Sequence, residues 1–287
     1  FVSANPTGPI HVAHMRGAIL GDVISNVLRF LGHKVTKEYY VNDAGSQIGI
    51  LGNSLYKRYS QLFGNKIILS NDEYPGEYLI DIAKNIKELD GDKWLNFKKT
   101  NELNSFFKSF AISYLLKEIK NDLSLIDVNF DKFTFESKIV DDNLIQKVFT
   151  ILKNKELIYE GTLDKPLGDD DNNWKPRKQL LFKSSNYLDT SDRPFKKENG
   201  EWTYFANDSA YHYDKFKRGY DKLINIWGSD HIGYVPRMIS MVNSFTNIDN
   251  YLEIIICQIV RLIKKQELLK MSKREGNFIT LQEVYNQ

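Results

Sequence analysis

Apolar side chains recur about every four residues near the start of the chain. Met15, Ile19, Val23, Val27 and Phe30 recur at helical spacing in a pattern that begins at His11 and is stopped by Gly32. Ahead of it, Phe1 to Ser3 reads as a short strand closed by the loop Asn5-Pro6-Thr7-Gly8-Pro9. Behind it, Val35 to Val41 alternates as a strand and ends in the turn Asn42-Asp43-Ala44-Gly45. Strand, Gly/Pro loop, helix and strand are the opening of a parallel βαβ unit. Residues 46–63 are patterned as amphipathic helix, and about 71–125 as a helix-rich but weakly patterned insertion. Val140, Leu144, Val148 and Leu152 predict one helix over 139–160. The polar stretch 161–200 holds a strand at Leu180-Leu181-Phe182 and an acidic turn at Asp169-Asp170-Asp171. Tyr204 to Asp214 leads into a helix, and Leu223 to Trp227 is an apolar strand ending at Gly228. A helix from Val235 and a strand around Ile254 to Gln258 complete a second αβ half, and a last helix-like run starts at Leu281. No internal repeat interrupts this order, and the expected class is α/β.

Composition narrows the picture. Over 287 residues, 42% hydrophobic and 13% aromatic side chains suffice for a sizeable core and exclude a disordered chain. No apolar run approaches the roughly 20 residues of a membrane span; the longest, Ile254-Ile255-Ile256-Cys257, is soon followed by Arg261 and Lys264-Lys265. The single cysteine, Cys257, excludes a disulfide framework and a four-cysteine zinc site, fits a reducing cytosol, and is expected in the core. A net charge of +2 carries no basic signature of a nucleic-acid-binding domain. The chain opens at Phe1 without a signal-peptide pattern and stops at Gln287, which reads as a fragment of something longer.

Four short stretches carry chemistry. His11 and His14 stand at i, i+3 where a helix begins, behind a Gly/Pro loop, and free N–H groups at a helix start suit phosphate. Such a pair can stabilise charge on a transferring phosphoryl group, or simply cap and pack the helix end. Zinc would need further ligands: the HExxH spacing is absent and Cys257 is remote. Lys270-Met271-Ser272-Lys273-Arg274 is a cationic run that alone reads as a solvated surface. Gly228-Ser229-Asp230-His231 ends an apolar strand, where Asp230 could accept from ribose hydroxyls or merely cap a helix. Tyr204 and Asp208 fall on one face if this segment is helical, where a buried aspartate would want a guanidinium fork, or Asp208 is simply a surface aspartate near a helix start. Asp169 to Asp171, beside Asn172-Asn173 and Pro176, reads as a solvated turn and not a metal site.

Taken together these stretches resemble a known family. Ser3 to Arg16 closely resembles the signature of class I aminoacyl-tRNA synthetases, specifically the arginyl-tRNA synthetase family, with Ala13 in place of the glycine in its His-x-Gly-His pattern. Lys270 to Arg274 matches the KMSKR-type signature, and Trp227-Gly228-Ser229-Asp230-His231-Ile232-Gly233-Tyr234 resembles the family's adenosine-binding segment. The resemblance implies a HUP-type, Rossmann-like doubly wound parallel sheet with a helix-rich insertion. Residues 1–63 would form the first half of the catalytic domain, 64–135 the insertion and 136–245 the second half. Residues 246–287 would form the KMSKR-loop segment leading toward an anticodon-binding domain. It implies ATP binding by His11, His14, Gly228, Asp230, His231, Met271, Ser272 and Lys273, with His11, His14, Lys270 and Lys273 catalytic. Arginine would be held by Ser3, Asn5, Asp43, Tyr204 and Asp208, with no protein-held metal. The reaction implied is arginine plus ATP to arginyl-adenylate and pyrophosphate, then transfer to the terminal adenosine of arginine tRNA. Mg2+ would accompany ATP, and the protein would be a cytoplasmic monomer with no membrane contact. Another HUP nucleotidyltransferase, or a non-catalytic synthetase-like module binding ATP or arginine, is the alternative.

Overall fold

The computed structural model of the chain describes residues 1–141, 143–163, 175–258, 260, 262–264, 267–269 and 279–286. Asp169–Asp171 and Lys270–Arg274 lie outside the described residues. The chain divides into two compact units, Phe1–Phe135 with Gln258–Gln287, and Glu136–Cys257.

In the first unit, helix α1 (Met15–Phe30) precedes strand β1 (Glu38–Val41), and three helices follow, α2 (Ser46–Gln61), α3 (Tyr78–Asp90) and α4 (Thr100–Ser124). Strand β2 (Lys132–Phe135) then pairs parallel with β1, Glu38 facing Lys132 and Val41 facing Phe135. A parallel pair needs a long crossover, and α2 to α4 supply it. These helices bury Leu51, Leu55, Tyr59, Ile82, Ile86 and Phe107 against one another. Along α4 the inward side passes from that cluster, at Ala111 and Leu115, to a second one, where Ile119 and Leu123 meet Tyr39, Val41 and Leu281. The stretch read as an insertion is thus packed as one body with the sheet it interrupts. The short hairpin β8 (Leu262–Lys264) and β9 (Glu267–Leu269) and the helix α9 (Leu281–Tyr285) also belong to this unit.

The large apolar side chains of α1 are turned outward. Ile19, Val23 and Val27 are about half exposed and Phe30 almost fully, while Ala18, Gly21 and Ser25 are buried. The period of the helix was legible but its orientation was not, because small residues, not large ones, face inward. The ring of Phe1 lies where a side chain on Gly21 would stand. Lys37 Nζ reaches Asp22 Oδ1 at 2.7 Å on the same side, with both side chains largely buried. Phe1 to Ser3 is likewise not a strand: Val2 and Ser3 have positive φ, and the segment is irregular.

The second unit has helices α5 (Glu136–Asp141), α6 (Leu144–Asn154), α7 (Tyr204–Lys217) and α8 (Val235–Thr246). Strands β3 (Ile158–Gly161), β4 (Gln179–Phe182) and β5 (Arg193–Lys196) form an antiparallel sheet with β4 in the centre. Strands β6 (Leu223–Gly228) and β7 (Leu252–Cys257) form a parallel pair with α8 as crossover. Val148, Leu152, Phe182, Phe195, Ala210, Met238 and Val242 form the core, each full burial of such a large side chain contributing about 1.5–3 kcal/mol. Cys257 is buried at the end of β7.

The single helix expected over 139–160 is in fact α5, α6 and the strand β3. Asn143, with φ 54°, separates the helices. Helix α6 ends in a six-to-one turn: Leu157 N–H donates to Leu152 O (2.9 Å) and Glu156 N–H to Lys153 O (3.0 Å), with Glu156 left-handed at φ 56°. Strand β5 was hidden by Pro194, which is tolerated because β5 is an edge strand.

The orientation of α1 is testable by a pair of substitutions. Ala18→Leu should cost about 1–3 kcal/mol by overpacking, whereas Val23→Lys should stay within about 0.5 kcal/mol. Urea unfolding midpoints check both, and the reverse order would restore the apolar face as the buried one.

Candidate active site

The first unit carries the His pair and the polar residues around it. Backbone from Val12 to His14 forms a 3-10 turn that runs directly into α1. The His11 and His14 rings are 3.9 Å apart between centroids and tilted by 36°, both half-buried. The strand-like loop before them is fixed by β1 without a ladder: Tyr40 N–H donates to Ser3 Oγ (3.0 Å) and Tyr39 Oη donates to Ala4 O (2.7 Å). Asn5 is exposed, with Nδ2 3.5 Å from Gln47 Oε1 in the first turn of α2. Asp43 follows the carboxyl end of β1 and is partly buried.

The His turn is also tied to the segment that follows the cationic run. Val12 N–H donates to Ile279 O (3.1 Å), Leu281 N–H donates to Ile10 O (2.9 Å), and His11 bridges Thr280. Thr280 then caps α9 reciprocally with Glu283, whose Oε2 accepts from Thr280 N–H at 2.7 Å. Lys270, Met271, Ser272 and Lys273 lie outside the described residues.

In the second unit, Gly228 ends β6 opposite Cys257 of the parallel partner, the edge at which open α/β sheets receive ligands. A side chain on Gly228 would meet the Asp230 carboxylate, which folds back against the glycine. Asp230 and His231 lie in the following 3-10 turn, 3.5 Å apart between Oδ2 and Nε2, both well exposed.

Tyr204 and Asp208 are one turn apart on α7, which Thr203 caps by accepting from Ala206 N–H. Tyr204 is exposed, while Asp208 is partly buried and accepts a 2.8 Å hydrogen bond from Tyr234 Oη. Burial pushes the Asp208 carboxyl up to about 6, and the charge of Glu136 adds to this. The Tyr234 hydrogen bond, the positive charge of Lys215 and the nearby His231 act the other way. Burial, reinforced by Asp208, raises the Tyr234 hydroxyl far above its ordinary value, so it remains a donor. Glu136 is itself buried and accepts from Asn207 Nδ2 at 3.1 Å. The result is an acidic site that a bound cation would relieve.

Two members of this site were not foreseen. Glu136 directly follows β2, so a parallel strand at 132–135, had it been recognised, would have marked its carboxyl end as a ligand edge. Tyr234 was inside a quoted motif, but only folding brings its hydroxyl to a carboxylate 26 positions away.

These features define a class. The fold is the Rossmann-like α/β catalytic fold of class I aminoacyl-tRNA synthetases: a Thermus thermophilus arginyl-tRNA synthetase structure superposes with TM-score 0.67 at 17% identity, covering 99% of this chain and 50% of that one. Within the class, the model described as tRNA synthetases class I (R), catalytic domain, matches residues 1–287, and the chain belongs to that family. A Campylobacter jejuni crystal structure assigned to arginyl-tRNA synthetase matches with TM-score 0.82 and 37% identity, over 100% of this chain and 59% of that one. The curated arginine–tRNA ligase of Orientia tsutsugamushi (strain Ikeda) is 48% identical over 287 residues, 99% of this chain and 48% of its own. The chain spans about half the length of the curated relatives it matches.

The coupling at Asp208 has a direct test. Because the Tyr234 hydrogen bond favours the charged carboxylate, Tyr234→Phe should move the Asp208 titration upward from about 6. Carbon-13 NMR of the labelled carboxyl reads the shift; an unchanged or lower midpoint would detach Tyr234 from it.

Proposed function

We propose that the protein acts as an arginine–tRNA ligase, activating L-arginine with ATP and passing it to the 3′-terminal adenosine of arginine tRNA. The observation that carries this reading is the acidic site on α7, where Asp208 is partly buried, hydrogen-bonded by Tyr234 and within the field of buried Glu136. A carboxylate held at a raised pKa gains most from a planar cation that can bond it twice, and Tyr204 one turn away offers an aromatic face to the same group. The names printed for the Orientia relative and the Campylobacter structure support the reading.

The proposed roles follow from the chemistry. Arginine would be held by Tyr204 and Asp208 at its guanidinium, with Asp43 shaping that pocket, and by Ser3 and Asn5 at its α-amino and carboxylate ends. Gly228, Asp230 and His231 receive adenosine, and His11 and His14 stabilise charge on the triphosphate. Met271, Ser272, Lys270 and Lys273 complete the ATP contacts; Lys273 stands six residues before Ile279, whose carbonyl Val12 holds. The substrate carboxylate attacks the α-phosphorus and pyrophosphate leaves, so no general base and no covalent enzyme intermediate is needed. Positioning and electrostatics do the work. Mg2+ would enter with ATP, and no step is assigned to it. Among the described residues no helix is long and apolar enough to cross a membrane. The proposed setting of the enzyme is the cytoplasm, and its proposed state a monomer.

Amino-acid-dependent ATP–pyrophosphate exchange on the complete protein, with arginine tRNA present, tests the reading. Arginine should support exchange; exchange with lysine or cysteine but not arginine would sink it. Asp208→Asn should raise the KM for arginine by about 10- to 100-fold, the range of a charge-assisted hydrogen bond, and leave the KM for ATP nearly unchanged. Equal effects on both would remove Asp208 from the pocket.

Asp208 also sets a pH dependence. Its carboxyl is charged above about 6 and neutral below, so the arginine KM should be flat at higher pH and rise by up to about tenfold per pH unit below. A KM for arginine that is constant from pH 5 to 8 would contradict the assignment.

A further inference from the structure

Helix α7 carries more than the Asp208 carboxylate. Asp208, His212 and Lys215 follow one another at i, i+4 and i+7, and so share a face of the helix. His212 is 3% exposed and Lys215 7%. Opposite them stands Asn225, in the middle of β6.

Three hydrogen bonds join these residues in one direction. Lys215 Nζ donates to Asn225 Oδ1 at 3.1 Å, Asn225 Nδ2 donates to His212 Nε2 at 2.7 Å, and His212 Nδ1 donates to the backbone carbonyl of Asp208 at 2.8 Å. Both ends force this direction, because an ammonium can only donate and a carbonyl can only accept. Asn225 must then turn its amide nitrogen to the ring, and His212 must be the neutral tautomer with its proton on Nδ1. Burial first, and then the charge of Lys215, hold His212 well below its ordinary pKa, which agrees with a ring that stays neutral. Lys215 also lies over the Tyr211 ring at 4.3 Å, and its charge favours the ionised form of Asp208.

The relay ties the helix that bears Asp208 to the strand that ends at Gly228, and beyond that strand stands Tyr234, the hydroxyl donor to Asp208. Apolar packing through Ala206 and Ala210 holds α7 against the core. The hydrogen-bonded chain adds a directional tie between α7 and β6. We propose that His212 is a positioning residue: locked in one tautomer by Asn225 and Lys215, it fixes where α7 presents the Asp208 carboxylate to Tyr234 and so sets affinity for the guanidinium substrate without touching it. This rests on the reading of Asp208 as the guanidinium site.

Two variants of the complete protein separate positioning from simple packing. His212→Gln loses the donor at the Nδ1 position, and His212→Asn keeps an N–H donor close to it. In ATP–pyrophosphate exchange, His212→Gln should raise the arginine KM by about tenfold, the worth of one hydrogen bond, with the ATP KM within about twofold. His212→Asn should recover most of that loss at a similar melting temperature. Arginine and ATP KM values rising together, an arginine KM unmoved while the melting temperature falls, or no recovery in His212→Asn would each overturn the proposal. Nitrogen-15 NMR of the wild-type ring decides the tautomer independently of substrate: a proton on Nδ1 that persists from pH 5.5 to 8 is expected, and a proton on Nε2 overturns the relay. Failure of arginine to support exchange in the wild-type protein would instead strike the functional reading, leaving the NMR result to judge the relay alone.

Discussion

A carboxylate drawn out of water has to be compensated, and much of the second unit is arranged around that requirement at Asp208. Its hydrogen bond comes from Tyr234, on the turn that follows β6, and its distant positive partner is Lys215 on its own helix. Neither removes the cost, because the carboxyl is still pushed up to about 6, and Glu136 adds like charge instead of relief. In the proposed role a guanidinium supplies that compensation, and selectivity of this type is strong because a neutral or misshapen ligand leaves buried polar groups unsatisfied.

The same economy appears in the first unit, where small residues do the positioning. Ala18, Gly21 and Ser25 allow α1 to approach its neighbours closely, and the His pair stands at the amino end of that helix. The backbones of residues 10–12 and 279–281 are joined by two main-chain hydrogen bonds, so the tie between the histidine turn and the segment after the cationic signature does not depend on side-chain choice. Each unit therefore presents its candidate residues from an element held by several independent contacts, which suits the proposed electrostatic role.

What could be read beforehand follows from what each signal depends on. Gly32 marks the end of α1 because its left-handed conformation, φ 91°, is one that glycine adopts freely. Glu156 makes the same kind of turn at the end of α6 with no glycine to announce it, so one helix was expected where there are two and a strand. The period of α1 was visible in Ile19, Val23 and Val27, but period does not say which face is inside. Motif residues such as His11, His14, Asp208 and Asp230 were legible because their spacing is local. Tyr234, Glu136 and Asn225 were not, since their roles arise from strands and helices meeting far apart in sequence.

The central claim is that this pocket selects charge and shape together, and one measurement reaches it without intermediate steps. Calorimetric titration of the complete protein with arginine and with citrulline compares two ligands of nearly equal shape, of which only arginine carries the guanidinium charge. The account predicts that arginine binds and that citrulline binds at least about a hundredfold more weakly, the loss of about 2.7 kcal/mol expected when a buried carboxylate is left without its cation. Comparable affinities for the two would contradict it.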